Sequence, residues 1–94
     1  MLLHFEWDET KNEANTHKHG VSFLHAIEAF RDAHHFIAED KKHRSASEKR
    51  YFCIGEVDGR IMTVRFTLRE NRIRIFGAAY WSKGKKIYAT RNRL

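Results

Sequence analysis

Proline is absent from the 94 residues, cysteine occurs once and glycine only five times. Without proline, repeats or a low-complexity tract, nothing marks a domain boundary, and 94 residues leave room for one domain with a modest core. The lone Cys53 excludes an internal disulfide framework and suits a reducing cytoplasm. No apolar run approaches the roughly 18 residues of a membrane span. The opening "MLLHFEWDE" also lacks the form of a signal peptide, so we expect a cytoplasmic protein with no membrane partner. Equally missing are a Ser-His-Asp arrangement, a phosphate-cradling glycine-rich loop and a dinucleotide fingerprint, and no cofactor is expected.

Cationic and aromatic side chains are what the chain does have. Eighteen Lys and Arg against twelve Asp and Glu give a net charge of +6, a field that attracts polyanions. Aromatics make up 13% of the residues and hydrophobics 41%, a globular composition. Seven histidines include "HKH" at 17 to 19 and "HH" at 34 and 35. No cysteine pair or other ligand-spaced set accompanies them, so no metal site is predicted.

The pattern predicts an α+β fold. "LLHFEW" reads as a first strand, and Asp8 as the N-cap of a polar helix "ETKNEANTHKH" that Gly20 ends. Ser22 starts a second helix, "FLHAIEAFRDA", whose Phe23, Ala26, Ile27 and Phe30 form a core-facing stripe. "HHFIAED" reads as strand and "KKHRSASEK" as a mobile polar loop. "RYFCIGEV", "RIMTVRFTL" and "RIRIFGAAY" follow as strands, joined by tight turns at Asp58-Gly59 and Glu70-Asn71. Ser82 is expected to cap a short basic terminal helix, "KGKKIYATRNR". Two amino-terminal helices packed on an antiparallel sheet is the architecture these elements predict.

Counting outward from the two turns gives the pairing. Tyr51, Cys53, Met62, Val64, Phe66, Leu68, Ile73 and Ile75 fall on one face, the core. The other face collects Arg50, Thr67 and Arg74 in one row and Phe52, Arg65 and Phe76 in the next, with Arg69 and Arg72 near the turn. Like charges directly opposed destabilise a sheet, so five clustered arginines require neutralisation. Either they face phosphates, which guanidinium binds bidentately, or they meet acidic side chains from elsewhere in the chain.

Other candidates carry two readings each. His19 suits a general base or phosphate contact, and equally a helix-end cap. Lys11 and Lys18 share a helix face that could hold phosphates or simply be solvated. Tyr80 and Trp81 can stack on bases or pack at a strand end. Cys53 falls on the core face and has no basic partner to activate it. An inventory of Arg, Lys, His and Tyr suits metal-free RNA cleavage.

"FEWDETKNEANTHKHGVSF", then Ala26, Phe30, Asp32, Arg50, Gly55, "FTLR" and "RIRIFGA" resemble the BrnT family of bacterial toxins over nearly the whole chain. That resemblance implies a RelE-like fold and a ribonuclease that arrests growth by cutting RNA, expected to be messenger RNA. It also implies a BrnA-type antitoxin with a ribbon-helix-helix DNA-binding part, through which alone the complex reaches operator DNA. Arg50, Arg69 and Arg74 match family positions, whereas Arg65 and Arg72 enter through the pairing. Many members end the last strand with Ile-Ser-Ala-Arg, so "FGAA" puts Ala79 at an arginine position, and Lys83 or Tyr80 becomes the substitute. A module that binds RNA or antitoxin without cutting is the alternative.

Overall fold

Residues 3–42 and 48–93 are described by the computed structural model. In chain order the elements are β1 (Phe5–Trp7), α1 (Glu9–His19), α2 (Phe23–Ala26) running into a 3₁₀ segment (Ile27–Arg31), and β2 (Phe36–Glu39), followed by β3 (Arg50–Val57), β4 (Arg60–Arg69), β5 (Arg72–Ala79) and α3 (Ser82–Asn92). Part of the predicted polar loop, residues 43–47, lies outside the described residues, as do 1, 2 and 94.

Two hairpins organise the sheet. Asp58 and Gly59 take φ of 51° and 80°, and Glu70 and Asn71 take 51° and 66°. Paired positive φ values are type I′ geometry, whose twist matches the flanking strands. They lock the expected register, with Arg50 opposite Thr67, Phe52 opposite Arg65, and Thr67 opposite Arg74. The five strands run in the order β1-β5-β4-β3-β2. The sheet is mostly antiparallel but not wholly so, because β1 pairs parallel with β5, Glu6 lying beside Arg74. Alternating hydrophobicity fixes which face a strand buries but not which way its neighbour runs.

The second helix is shorter than predicted. Only Phe23–Ala26 is α-helical, and the chain then tightens into the 3₁₀ segment. That segment presses so closely on β3 that a Cβ at Gly55 would collide with the Ala29 carbonyl oxygen. Val21, Phe23, Ala26, Ala29 and Phe30 bury against Cys53, Met62, Val64, Phe66, Ile73 and Ile75 as the core. Leu68, expected there, is 49% exposed at the end of β4.

Helix α1 contributes no buried residue and is held by polar bonds instead. Asp8 caps it as predicted, accepting from the Thr10 and Lys11 amides, and Gly20 closes it at φ 70°. Its Asn15 amide donates to the carbonyls of Val21 and Ala78 and accepts from the Ala78 N–H, satisfying β5 where β1 has ended. The terminal helix α3 packs on the opposite face of the sheet. Trp81, not Ser82, is its N-cap, and no side chain caps it. No helix among the described residues is long and apolar enough to cross a membrane.

Candidate functional site

The sheet face away from the core divides along the strands. Ile54 and Thr63 meet α3 at Gly84, where an added Cβ would clash with the Thr63 hydroxyl. Two residues back along β3, and two on along β4, lie Phe52 and Arg65, and beyond them Arg50 and Thr67. One face therefore carries a helix at one end and the arginine row at the other.

The row is tighter on one side than alternation alone predicts. A bulge between Arg65 and Phe66 sets Gly77, not Phe76, opposite Arg65. Phe76 becomes the extra residue of β5, and its ring meets the guanidiniums of Arg50 at 5.1 Å and Arg65 at 5.0 Å. Both distances are within cation–π reach.

Most of the positive charge is neutralised by the chain itself. Glu6 accepts from Arg72 at 2.6 Å and from Arg74 at 2.9 Å. Arg72 also reaches Glu70 at 3.1 Å, and Arg69 bonds Glu48 at 2.9 Å. The hydrogen bond from Arg74, with Arg72 beside it, holds the Glu6 carboxyl below its ordinary value despite partial desolvation. Arg69 does the same to Glu48, and its own guanidinium is raised in return. Acidic side chains thus hydrogen-bond three of the arginines.

Arg50 and Arg65 differ. Asp40 lies 3.8 Å from Arg65, an ionic contact too long for a hydrogen bond. Arg50 has no carboxylate within salt-bridge distance among the described residues. These two guanidiniums stand beside Phe76, and neither is hydrogen-bonded to a carboxylate among the described residues.

A groove of about 550 Å³ opens next to Arg65, between α3 and the sheet. Phe52, Ile54 and Ile87 supply apolar walls, while Trp81 and Lys83 stand at the start of α3. The His19 ring meets Trp81 edge-on at 5.5 Å, so the end of α1 touches the same rim. Lys11 and Lys18 are exposed on α1, with Asn15 between them turned to β5. Tyr80 does not join the cluster, because it packs against the core and carries the Arg60 guanidinium 3.7 Å from its ring centre. Burial pushes the Cys53 thiol up to about 12, which removes it as a nucleophile at neutral pH.

Helix α3 is pinned from below. The Tyr88 hydroxyl donates to Asp32 at 2.6 Å, and Asp32 also accepts from the Glu56 and His34 amides. Burial works against the Asp32 charge, but these bonds outweigh it and hold the carboxyl low, while desolvation and the same bond push Tyr88 up to about 12. Sequence reasoning placed Phe52 and Phe76 on the arginine face without giving them a role, and it missed the groove. A signal for the groove existed: Gly84, Ile87 and Tyr88 at i, i+3 and i+4 mark the side of α3 that meets the sheet.

No curated protein matches the chain. A family model described as "Ribonuclease toxin, BrnT, of type II toxin-antitoxin system" matches residues 7–84, and the chain belongs to that family.

Proposed function

We propose that this BrnT-family chain is a RelE-like, metal-independent endoribonuclease toxin that cuts RNA, chiefly messenger RNA, and thereby stops translation and growth. The observation that supports it best is the pair Arg50 and Arg65, both beside Phe76 and neither hydrogen-bonded to a carboxylate among the described residues. A guanidinium held in place and not hydrogen-bonded to a carboxylate is pre-organised for a phosphate diester.

In the proposed reaction a base removes the ribose 2′-hydroxyl proton and the oxygen attacks the adjacent phosphorus. Charge builds on the phosphorane oxygens, where Arg50 and Arg65 stabilise it. An acid then protonates the 5′-oxygen as its bond to phosphorus breaks, leaving a 2′,3′-cyclic phosphate and a 5′-hydroxyl. His19 is the proton carrier in this scheme, its imidazole lying beside Trp81 on the rim of the groove. Lys83 supplies the cation that Ala79 does not. Arg69 and Arg74 join the phosphate site as RNA displaces Glu48 and Glu6, and Arg72, Trp81, Lys11 and Lys18 hold flanking nucleotides. Tyr80, engaged by Arg60, serves packing.

Membership of a type II family implies a protein antitoxin as partner. We assign it to the BrnA type, with a ribbon-helix-helix part that carries the complex to operator DNA. A second proposal, a module that binds RNA or antitoxin without cleavage, draws support from Ala79 and from the internal pairing of Arg69, Arg72 and Arg74.

Induced expression separates the two. Wild type should arrest growth and fragment cellular RNA, whereas an equally abundant, folded Arg50→Ala/Arg65→Ala variant should do neither. Intact RNA and normal growth with soluble wild type would favour the binding module.

A further inference from the structure

The groove beside α3 has a chemistry that phosphate binding alone does not explain. An anion seat needs cations and N–H donors, yet Phe52, Ile54 and Ile87 make much of this lining apolar. At about 550 Å³ it falls within the size of small-molecule sites. Trp81 keeps 36% of its surface exposed, and the His19 ring meets it in a T-shaped contact at 5.5 Å. An indole in that position offers a face on which a planar group can stack.

The polar groups gather at one end. Arg65 makes no hydrogen bond to a carboxylate among the described residues, though Asp40 lies 3.8 Å away, and Asp40, Lys42 and Lys83 line the same cavity. Ser82, Lys83 and Gly84 form the uncapped first turn of α3, and the first helical amide bond is made only by Lys85, to the Trp81 carbonyl at 3.2 Å. Beneath Gly84 the Thr63 hydroxyl is buried without a hydrogen-bond partner among the described residues. Unsatisfied donors at a helix start favour an anion.

We propose that this groove is a nucleotide subsite, with one unpaired base stacked on Trp81 between the apolar walls and its phosphate on Arg65, Lys83 and the start of α3. The assignment rests on the RNA-directed function proposed above and adds a base-stacking contact next to the phosphate-binding arginines. It makes the protein sensitive to whether a base occupies that position.

Calorimetric titration of the full chain with adenosine and uridine 5′-monophosphates, ribose 5-phosphate and an uncleavable all-deoxy tetranucleotide tests the assignment without any turnover. The monophosphates should bind at least about tenfold more tightly than ribose 5-phosphate and quench tryptophan fluorescence. Trp81→Leu, or Ile87→Phe filling the groove, should erase that advantage, while Lys83→Gln should weaken all phosphates alike. A further gain for the tetranucleotide identifies a chain as the natural ligand, and equal affinity identifies a free nucleotide. Equal binding of ribose 5-phosphate and the monophosphates, or an advantage that survives Trp81→Leu and Ile87→Phe, overturns the subsite. Because none of these ligands is cleaved, base-dependent binding by a protein that never cuts RNA would defeat the ribonuclease function and leave the subsite standing. Cleavage without base-dependent binding would do the reverse.

Discussion

Glu6 holds two guanidiniums at once, Arg72 at 2.6 Å and Arg74 at 2.9 Å, and so removes them from immediate use by a ligand. Replacing it with glutamine keeps the shape and deletes the charge. We therefore expect Glu6→Gln to bind single-stranded RNA a few-fold more tightly than wild type, by fluorescence anisotropy, with a steeper loss of affinity as salt is added. Unchanged affinity would mean that RNA never meets Arg72 or Arg74. The same carboxylates set the acid limit of stability. Glu6, Glu48 and Asp32 all have folded values lowered from the ordinary range, so their contribution is complete above that range and is lost as pH falls through the folded values. Melting temperature should be nearly level from neutrality to about pH 5 and fall below about pH 4, and Glu6→Gln should shrink that fall. At this scale the sequence was informative where turn chemistry was strong. Asp58-Gly59 and Glu70-Asn71 fix the counting, so the row of Arg50, Thr67 and Arg74 could be read directly. Phe76 was placed on that face too, but the pairing of Arg65 with Gly77 could not be read, because a bulge adds one residue without a pattern and the small Gly77, Ala78 and Ala79 do not reveal it. Nor does spacing say that Glu6, 68 positions from Arg74, will neutralise it.

Helix α3 is the element on which the groove depends, and it is held at two points. Tyr88 is nearly fully buried and donates to a charged carboxylate at 2.6 Å. Tyr88→Phe should lower unfolding free energy by roughly 1.5–3 kcal/mol in urea titrations, because Asp32 loses a donor inside the fold. A loss near zero would show the bond to be replaceable by water. Gly84→Ala sets two effects against each other. Helix propensity favours alanine by about 1 kcal/mol, but its Cβ would strike the Thr63 hydroxyl, and overpacking costs about 1–3 kcal/mol. Net destabilisation is expected, since Thr63 is itself buried under the helix. The bounds of α1 were legible from Asp8 and Gly20, which cap it as their chemistry demands. Those of α2 were not: its hydrophobic stripe suits either helix type, and the tightening at Ile27 reflects the close approach to Gly55. The parallel partnership of β1 was hidden for a similar reason, as it is decided by how α1 returns the chain and not by the strand itself.

For the whole molecule the relevant quantity is a net charge of +6, much of whose arginine content on one sheet face is already paired. Composition alone points to a polyanion partner, and only the fold shows which cations remain for it. If Arg50 and Arg65 each contact a phosphate, removing both should flatten the plot of log affinity against log salt by about 1.4, at ~0.7 per contact for a single strand. Removing Lys11 and Lys18 instead would have that effect only if RNA extends along α1. Belonging to the BrnT ribonuclease toxin family adds the expectation of a protein antitoxin.

The most direct measurement is cleavage by purified protein of a defined single-stranded RNA, comparing wild type with Arg50→Ala/Arg65→Ala after circular dichroism has shown equal folding. Wild type should yield fragments ending in 2′,3′-cyclic phosphate, and the variant should be slower by about a hundredfold or more. Equal rates from the two proteins would contradict the assignment of these arginines to the scissile phosphate.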